Sequence, residues 1–198
     1  LAARAAPPHK VEIAYEVAHG GAPVADVVGR LEHDGRSYRL LETWKGKGIY
    51  ALRGEVRRTS RGSVAAEGLR PAEFEDRRSG REPRRVRFEG TAGAGRQDRL
   101  SLLWSFAFRP PGAQPVSLVV ADGKGIARHV YVATGRERIS TPAGEFDALR
   151  LARQADAPQA RSAEIWLAAD RHWLPVRVVA TDSDGTRTEQ VAVRIAFP

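Results

Sequence analysis

Glu145 and Asp147, in the stretch RISTPAGEFDALRLAR (Arg138–Arg153), are the carboxylate pair best spaced for acid–base chemistry. Two residues apart on a strand, they share one face. Catalysis would need that face to line a cleft that displaces their pKa values. The neighbouring residues argue for something simpler. Pro142 presets φ for the first central position of a tight turn, and Gly144 accepts a left-handed backbone two residues later. Runs of strand character lie on both sides. The stretch reads as a hairpin with solvated charges beside its turn.

The other reactive side chains are dispersed. His9, His19, His33, His129 and His172 never occur as HxH or HExxH, so a metal site would need distant convergence. His172, in DRHWLP, reads as a turn residue and His129 as a strand residue paired across a sheet. Cysteine is absent, which removes thiol nucleophiles, disulfides and thiolate zinc sites together. No serine sits in GxSxG. GTAGAGRQ (Gly90–Gln97) is glycine-rich but lacks the Lys-Ser/Thr of a phosphate loop, and reads as a flexible connection. DSDG (Asp182–Gly185) starts like a calcium loop without its later ligands. The expectation is a non-enzymatic protein with no cofactor and no metal.

Charge points to surfaces rather than to chemistry. The 198 residues carry a formal net charge of +8, and only Lys10, Lys45, Lys47 and Lys124 are lysines. Between Arg53 and Arg99 there are 13 arginines against 8 acidic residues. A nucleic-acid binder would gather such charges on one face among exposed aromatics. Here they alternate with Glu and Asp, while Phe74 and Phe88 fall on the apolar face. A mixed-charge sheet surface follows, with no nucleic acid as partner and an anionic headgroup as the one functional use retained.

The elements that must position these residues are mostly strands. KVEIAYEV alternates Val11, Ile13, Tyr15 and Val17 with polar residues, the period of a half-buried strand. AHGGAP, HDG (His33–Gly35), RRSGRE, GKG and SDGT punctuate the chain as turns at roughly ten-residue spacing. QDRLSLLWSFAFRPP breaks the rhythm: Leu100, Leu103, Trp104 and Ala107 recur at helical spacing, Asp98 is placed to cap, and Pro110–Pro111 stop the element. The pattern predicts one helix, Arg99 to Phe108, against a strongly curved antiparallel sheet, an open or half barrel in a mainly β protein. Residues 10–198 form one β-rich domain. The Ala- and Pro-rich opening, with no Met at position 1, suits a flexible spacer over 1–9 left by a removed signal peptide, and hence export to the periplasm. No apolar run approaches the roughly 20 residues of a membrane-spanning helix.

A curved sheet with a helix in its concavity tends to present more apolar lining than it can close. Trp104 and Phe108 are the expected lining of such a groove, with Trp166 behind them and Arg85 and Arg87 meeting an anionic headgroup at the rim. The ligand expected there is apolar or amphipathic, a lipid or lipoprotein. The alternative is an envelope interaction module with a filled core, which pairs an exposed sheet edge with a protein partner.

The runs EGLRPAEFEDRR, LSLLWSFAFRPPG, GRERISTPAGEFDALRLAR and IWLAADRHWLPVRVV stand in the order seen in domain-of-unknown-function family 3108, which this chain resembles from about Lys10 onward. Its markers are TPAGxFxA and W-L-x-x-D-x-x-x-L-P-V-R, the latter here Trp166 to Arg177. The resemblance implies an exported protein of a Gram-negative bacterium and carries no catalytic residue over. More loosely, the architecture is similar to the half-barrels of periplasmic lipoprotein carriers, which wrap helices around an apolar cavity.

Overall fold

In a computed structural model, which describes residues 6–88, 95–154 and 160–198, thirteen strands form a single sheet. They are β1 (Lys10–His19), β2 (Ala22–His33), β3 (Ser37–Gly46), β4 (Val56–Ala65), β5 (Gly68–Arg78), β6 (Arg84–Arg87), β7 (Arg96–Gln97), β8 (Val116–Ala121), β9 (Ile126–Thr141), β10 (Gly144–Arg153), β11 (Ser162–Ala168), β12 (Leu174–Thr181) and β13 (Arg187–Ala196). The order across the sheet is β6-β5-β4-β3-β2-β1-β13-β12-β11-β10-β9-β8-β7. Every pairing is antiparallel except that of β7 with β8. The mainly β, single curved sheet read from the sequence is the observed fold, and β6 and β7 remain unpaired with each other, so the barrel is not closed.

One helix, α1 (Arg99–Phe108), lies in the concavity and is buried around most of its circumference. Leu100, Trp104 and Ala107 pack into a cluster with β1, β2 and β3, through Ile13, Val27 and Leu40 among others. Leu102 and Phe106 pack the other way, against Leu118 and Val120 of β8, Tyr131 of β9, Leu151 of β10 and Ile165 and Leu167 of β11. Leu103 touches both clusters. The helix therefore replaces the opposing sheet that a flat β-layer would need.

The predicted turns fall where expected. Pro142–Ala143 connects β9 to β10 with Gly144 opposite Thr141. Phe146 and Ala148 then point into the core while Glu145 and Asp147 point out to Arg138 and Arg136. That alternation explains the TPAGxFxA spacing, and the two carboxylates are solvated ion-pair partners. His172 occupies the turn between β11 and β12 in a left-handed conformation. A 3-10 turn, Gly48–Arg53, joins β3 to β4, an element that the periodicity did not reveal. Of the Gly90–Gln97 connection, residues 90–94 lie outside the described residues, while Arg96–Gln97 form β7. Of the expected spacer over 1–9, residues 1–5 lie outside the described residues, and Pro7 is buried with its carbonyl accepting from Nε2 of His33 at 3.0 Å.

Candidate ligand-binding site

The polar chemistry of the interior gathers where α1 begins. Asp98 caps the helix: its Oδ1 accepts from the backbone N–H groups of Leu100 and Ser101 at 2.8 and 2.9 Å, and its own N–H donates to Ser101 Oγ at 3.0 Å. Its second oxygen accepts from Ser60 of β4 at 2.5 Å, and the Ser60 hydroxyl also meets the Tyr38 hydroxyl at 2.9 Å. Asp98, Ser60 and Ser101 are fully buried. Burial pushes the Asp98 carboxyl up to about 6, against the hydrogen bonds from Ser60 and the helix N-terminus, which hold it down. Burial, then the Asp98 charge, drives the Tyr38 phenol above its usual value.

A carboxyl raised in the folded state binds its proton more tightly there than in the unfolded chain, so its stabilising contribution is complete below pH ~4 and is lost as pH rises through about 6. Asp98→Asn keeps the cap and can donate to Ser60, without a charge. The stability of wild type relative to Asp98→Asn is expected to fall by roughly 3 kcal/mol between pH 4 and 7 and to level off above. Urea unfolding of both proteins at half-unit pH intervals measures it. A difference that stays constant with pH would show that Asp98 does not titrate there.

A buried ion cluster lies across the wall. Arg58 of β4 donates from Nη1 to Glu42 of β3 at 2.7 Å, its Nε stands 3.6 Å from Asp76 of β5, and Arg78 pairs with Asp76 at 3.1 Å. Trp44 donates its indole N–H to the same Glu42 oxygen at 2.5 Å, and the Arg58 guanidinium lies 5.2 Å from the Trp44 ring centroid. Burial works to raise the Asp76 carboxyl, but the Arg78 hydrogen bond and the charges of Arg58 and Arg78 outweigh it and bring it below its usual value.

Between this cluster and the opposite wall of the sheet, at the N-terminal end of α1, is a cavity of about 290 Å³. That is the volume of about ten waters and the lower end of small-molecule sites. Leu100, Leu102 and Leu103 of α1, Val120 of β8, Tyr131 of β9 and Val178 of β12 line it with apolar surface. Arg58, Arg99, Arg153 and Arg161 reach it with positive charge, against one carboxylate, Glu42. Arg58 is committed to Glu42, Arg161 pairs with Asp182 at 2.7 Å, and Arg153 donates to the Arg161 carbonyl. Arg99 differs: it is half-buried and, among the described residues, makes no ion pair. Burial, followed by the nearby charge of Arg58, lowers its pKa from the usual arginine value, yet a guanidinium stays protonated at neutral pH.

None of the five residues expected to bind ligand lines this cavity. Trp104 is core, 4% exposed, with its ring against Gly29. Phe108 sits at the far end of the helix, edge-on to His33 at 4.9 Å. Trp166 is buried in the core cluster that also holds Phe146 and Ala148, with Arg177 and Arg150, its neighbours on the flanking strands, at 4.7 and 5.4 Å from the ring, and its indole N–H on Glu137. The two ends of the W-L-x-x-D-x-x-x-L-P-V-R stretch thus stack on one another. Arg85 is held by Glu75 at 2.7 Å on the exposed β6, which also carries Arg87. The cationic groups at the cavity are other arginines. Among so many, only Arg99 was distinguishable in sequence, as the first helical residue after a capping Asp. His129 also lines the cavity, and no group of three potential metal ligands forms among the described residues.

A strongly curved β-sheet with a helix in its concavity and a cationic, apolar-floored cavity at one end defines the class: a scaffold of the half-barrel type. The chain belongs to DUF3108, described as a protein of unknown function, whose family profile matches residues 85–191. No curated protein matches the sequence. Among solved structures it is similar to a β-barrel-like protein of domain family DUF1849 from Brucella abortus, at a TM-score of 0.55 and 9% identity over 96% of this chain and 98% of that one. That likeness is one of fold. A Bacteroides fragilis protein described as exported, with a YmcC-like fold, aligns at 0.48 and 10% identity over 98% of this chain and all of its own. MucB, solved in complex with MucA(peri), aligns at 0.40 and 13% identity over 96% of this chain and 51% of MucB. In the chain itself, no helix among the described residues is long and apolar enough to cross a membrane.

Proposed function

We propose that this is a non-enzymatic periplasmic binding protein whose cavity takes the anionic end and proximal chain of a lipid-like amphiphile. One observation carries the reading: Arg99 projects a guanidinium, without an ion-pair partner among the described residues, to the wall of a cavity whose floor is leucine and valine. A desolvated cation over an apolar floor favours a ligand that carries an anion at one end and hydrocarbon at the other. The periplasmic location is carried over from what the family resemblance implies.

The test uses laurate as the anionic probe and dodecanol as its uncharged counterpart, read by displacement of an environment-sensitive fluorophore. Laurate is expected to bind saturably and more tightly than dodecanol, and Arg99→Gln to weaken laurate at least about tenfold while leaving dodecanol unchanged. Equal affinity for both probes, or no loss in Arg99→Gln, would sink the proposal. The open seam at β6 favours the alternative, an interaction module that pairs its sheet edge with a protein. That reading takes over if neither probe binds and crosslinking in periplasmic extract yields one specific partner through β6.

A further inference from the structure

The 3-10 turn Gly48–Arg53 contributes nothing to the core: none of its six residues is buried. Yet it carries Ile49, 77% exposed, and Leu52, 90% exposed. A third large apolar side chain, Ile126 at the start of β9, is 76% exposed. Phe197, at the chain's end, is the remaining one among the described residues. Single exposed apolar residues are ordinary on protein surfaces. Three at the loop tips of one end of a sheet are not accounted for by that.

Strand register shows that they share an end. Trp44, opposite Val56 and Arg78, and Glu42, opposite Arg58 and Asp76, form the last rungs of β3, β4 and β5, and Glu42, Trp44 and Arg58 line the cavity. The 3-10 turn begins four residues past Trp44. On the other wall Ile126 pairs with Ala121, one residue beyond Val120 of the cavity lining. The β8–β9 turn also approaches β6, where a Cβ on Gly123 would stand 3.2 Å from that of Arg84. The exposed side chains therefore rim the cavity's end of the barrel.

The turn is braced rather than loose. Lys47 donates its backbone N–H to Val24 at 2.9 Å and its ammonium to Glu16 and Asp26 at 2.7 and 2.8 Å. Tyr50 folds back so closely that any Cβ at Gly46 would meet its carbonyl oxygen at 2.3 Å. The Arg53 guanidinium stacks 4.9 Å from the Tyr50 ring. Exposed cations stand beside the apolar tips: Lys45 and Arg53 next to the first, Lys124 and Arg128 next to the second. The acidic groups at this end include Glu16 and Asp26, both tied to Lys47, Glu55, Glu82 and Asp122, and on the β12–β13 turn Asp182, tied to Arg161, and Asp184.

We propose that this end of the barrel docks on an anionic lipid surface, with Ile49 and Leu52 inserted as a wedge and Ile126 as a second point of contact. Apolar side chains held on a rigid turn enter the acyl boundary while the flanking cations meet anionic headgroups. The arrangement does not depend on the ligand reading of the cavity, although it would bring the cavity's end to the membrane.

The chain's lack of cysteine makes the test direct. Leu52→Cys and, at the opposite end, Arg36→Cys are each labelled with an environment-sensitive fluorophore and mixed with phosphatidylglycerol–phosphatidylethanolamine vesicles. The label at 52 is expected to shift to the blue and that at 36 to stay unchanged. In vesicle sedimentation, Ile49→Ser/Leu52→Ser is expected to bind at least about tenfold more weakly than wild type with unaltered thermal unfolding. Binding should also weaken with added salt. Arg99→Gln should bind vesicles as wild type does, which separates this inference from the cavity's. Absence of vesicle binding by wild type, or binding that survives the double substitution, would overturn it. Self-association of wild type that the double substitution abolishes, without vesicle binding, would instead assign the patch to a second copy of the chain.

Discussion

Replacing Arg58 by Met is expected to lower stability by about 3–5 kcal/mol, because among the described residues it leaves the Glu42 carboxylate in the barrel wall with only the Trp44 indole as a hydrogen-bond partner. Arg58, Glu42 and Asp76 are all buried, so solvent cannot replace the lost guanidinium. Asp76 retains Arg78, which places most of the loss on Glu42. The argument extends to a cycle. Arg58→Met made in a Glu42→Gln background should cost at least about 1 kcal/mol less than in wild type, since both charges are then gone. Urea midpoints at one pH measure all four proteins. Equal costs in both backgrounds would mean that the pair is not coupled and that the cavity's polar wall is held by packing.

Trp104→Ala is expected to cost about 3–5 kcal/mol, the usual penalty for emptying a large aromatic site in a packed core. The indole is 4% exposed and faces Gly29, where a Cβ would meet ring carbon Cζ2 at 3.1 Å. The reciprocal substitution follows from the same contact. Gly29→Ala should overpack the site and destabilise by about 1–3 kcal/mol, and Trp104→Phe should relieve part of that strain. Thermal or urea unfolding of the three variants checks the geometry. Because Trp104 holds α1 against β1 and β2, its loss should weaken ligand binding only through loss of fold. A stable Trp104→Ala protein with an intact unfolding transition and lost laurate binding would return this residue to the ligand site.

Much of the architecture was legible in the chain. Strand periodicity in KVEIAYEV, the turn chemistry of HDG, TPAG and SDG, and the Asp98-capped helical spacing of Leu100, Leu103, Trp104 and Ala107 are local properties, set by backbone sterics and by side-chain direction along each element. So the curved sheet and its single helix could be read, and Glu145 and Asp147 could be dismissed. The two family stretches could be recognised too, and their spacing proves structural: Phe146 and Ala148 face the core, and Arg177 stacks on Trp166. The 3-10 turn escaped because six residues with no buried face leave no period to detect.

What the sequence by itself determined is thus the set of elements, their order and which face of each strand is apolar. Tertiary structure alone decided where those faces meet. An aromatic on a helix, such as Trp104, lines a groove or fills a core according to how far the sheet curves around it, and curvature is a sum over thirteen strands. The same curvature brings Arg58, Arg99, Arg153 and Arg161, from β4, α1, β10 and the approach to β11, to one cavity. Ion pairing then separates Arg99 from the rest. Twenty-eight arginines look alike as letters; they differ in charge partner and burial, and both are long-range properties of the folded chain.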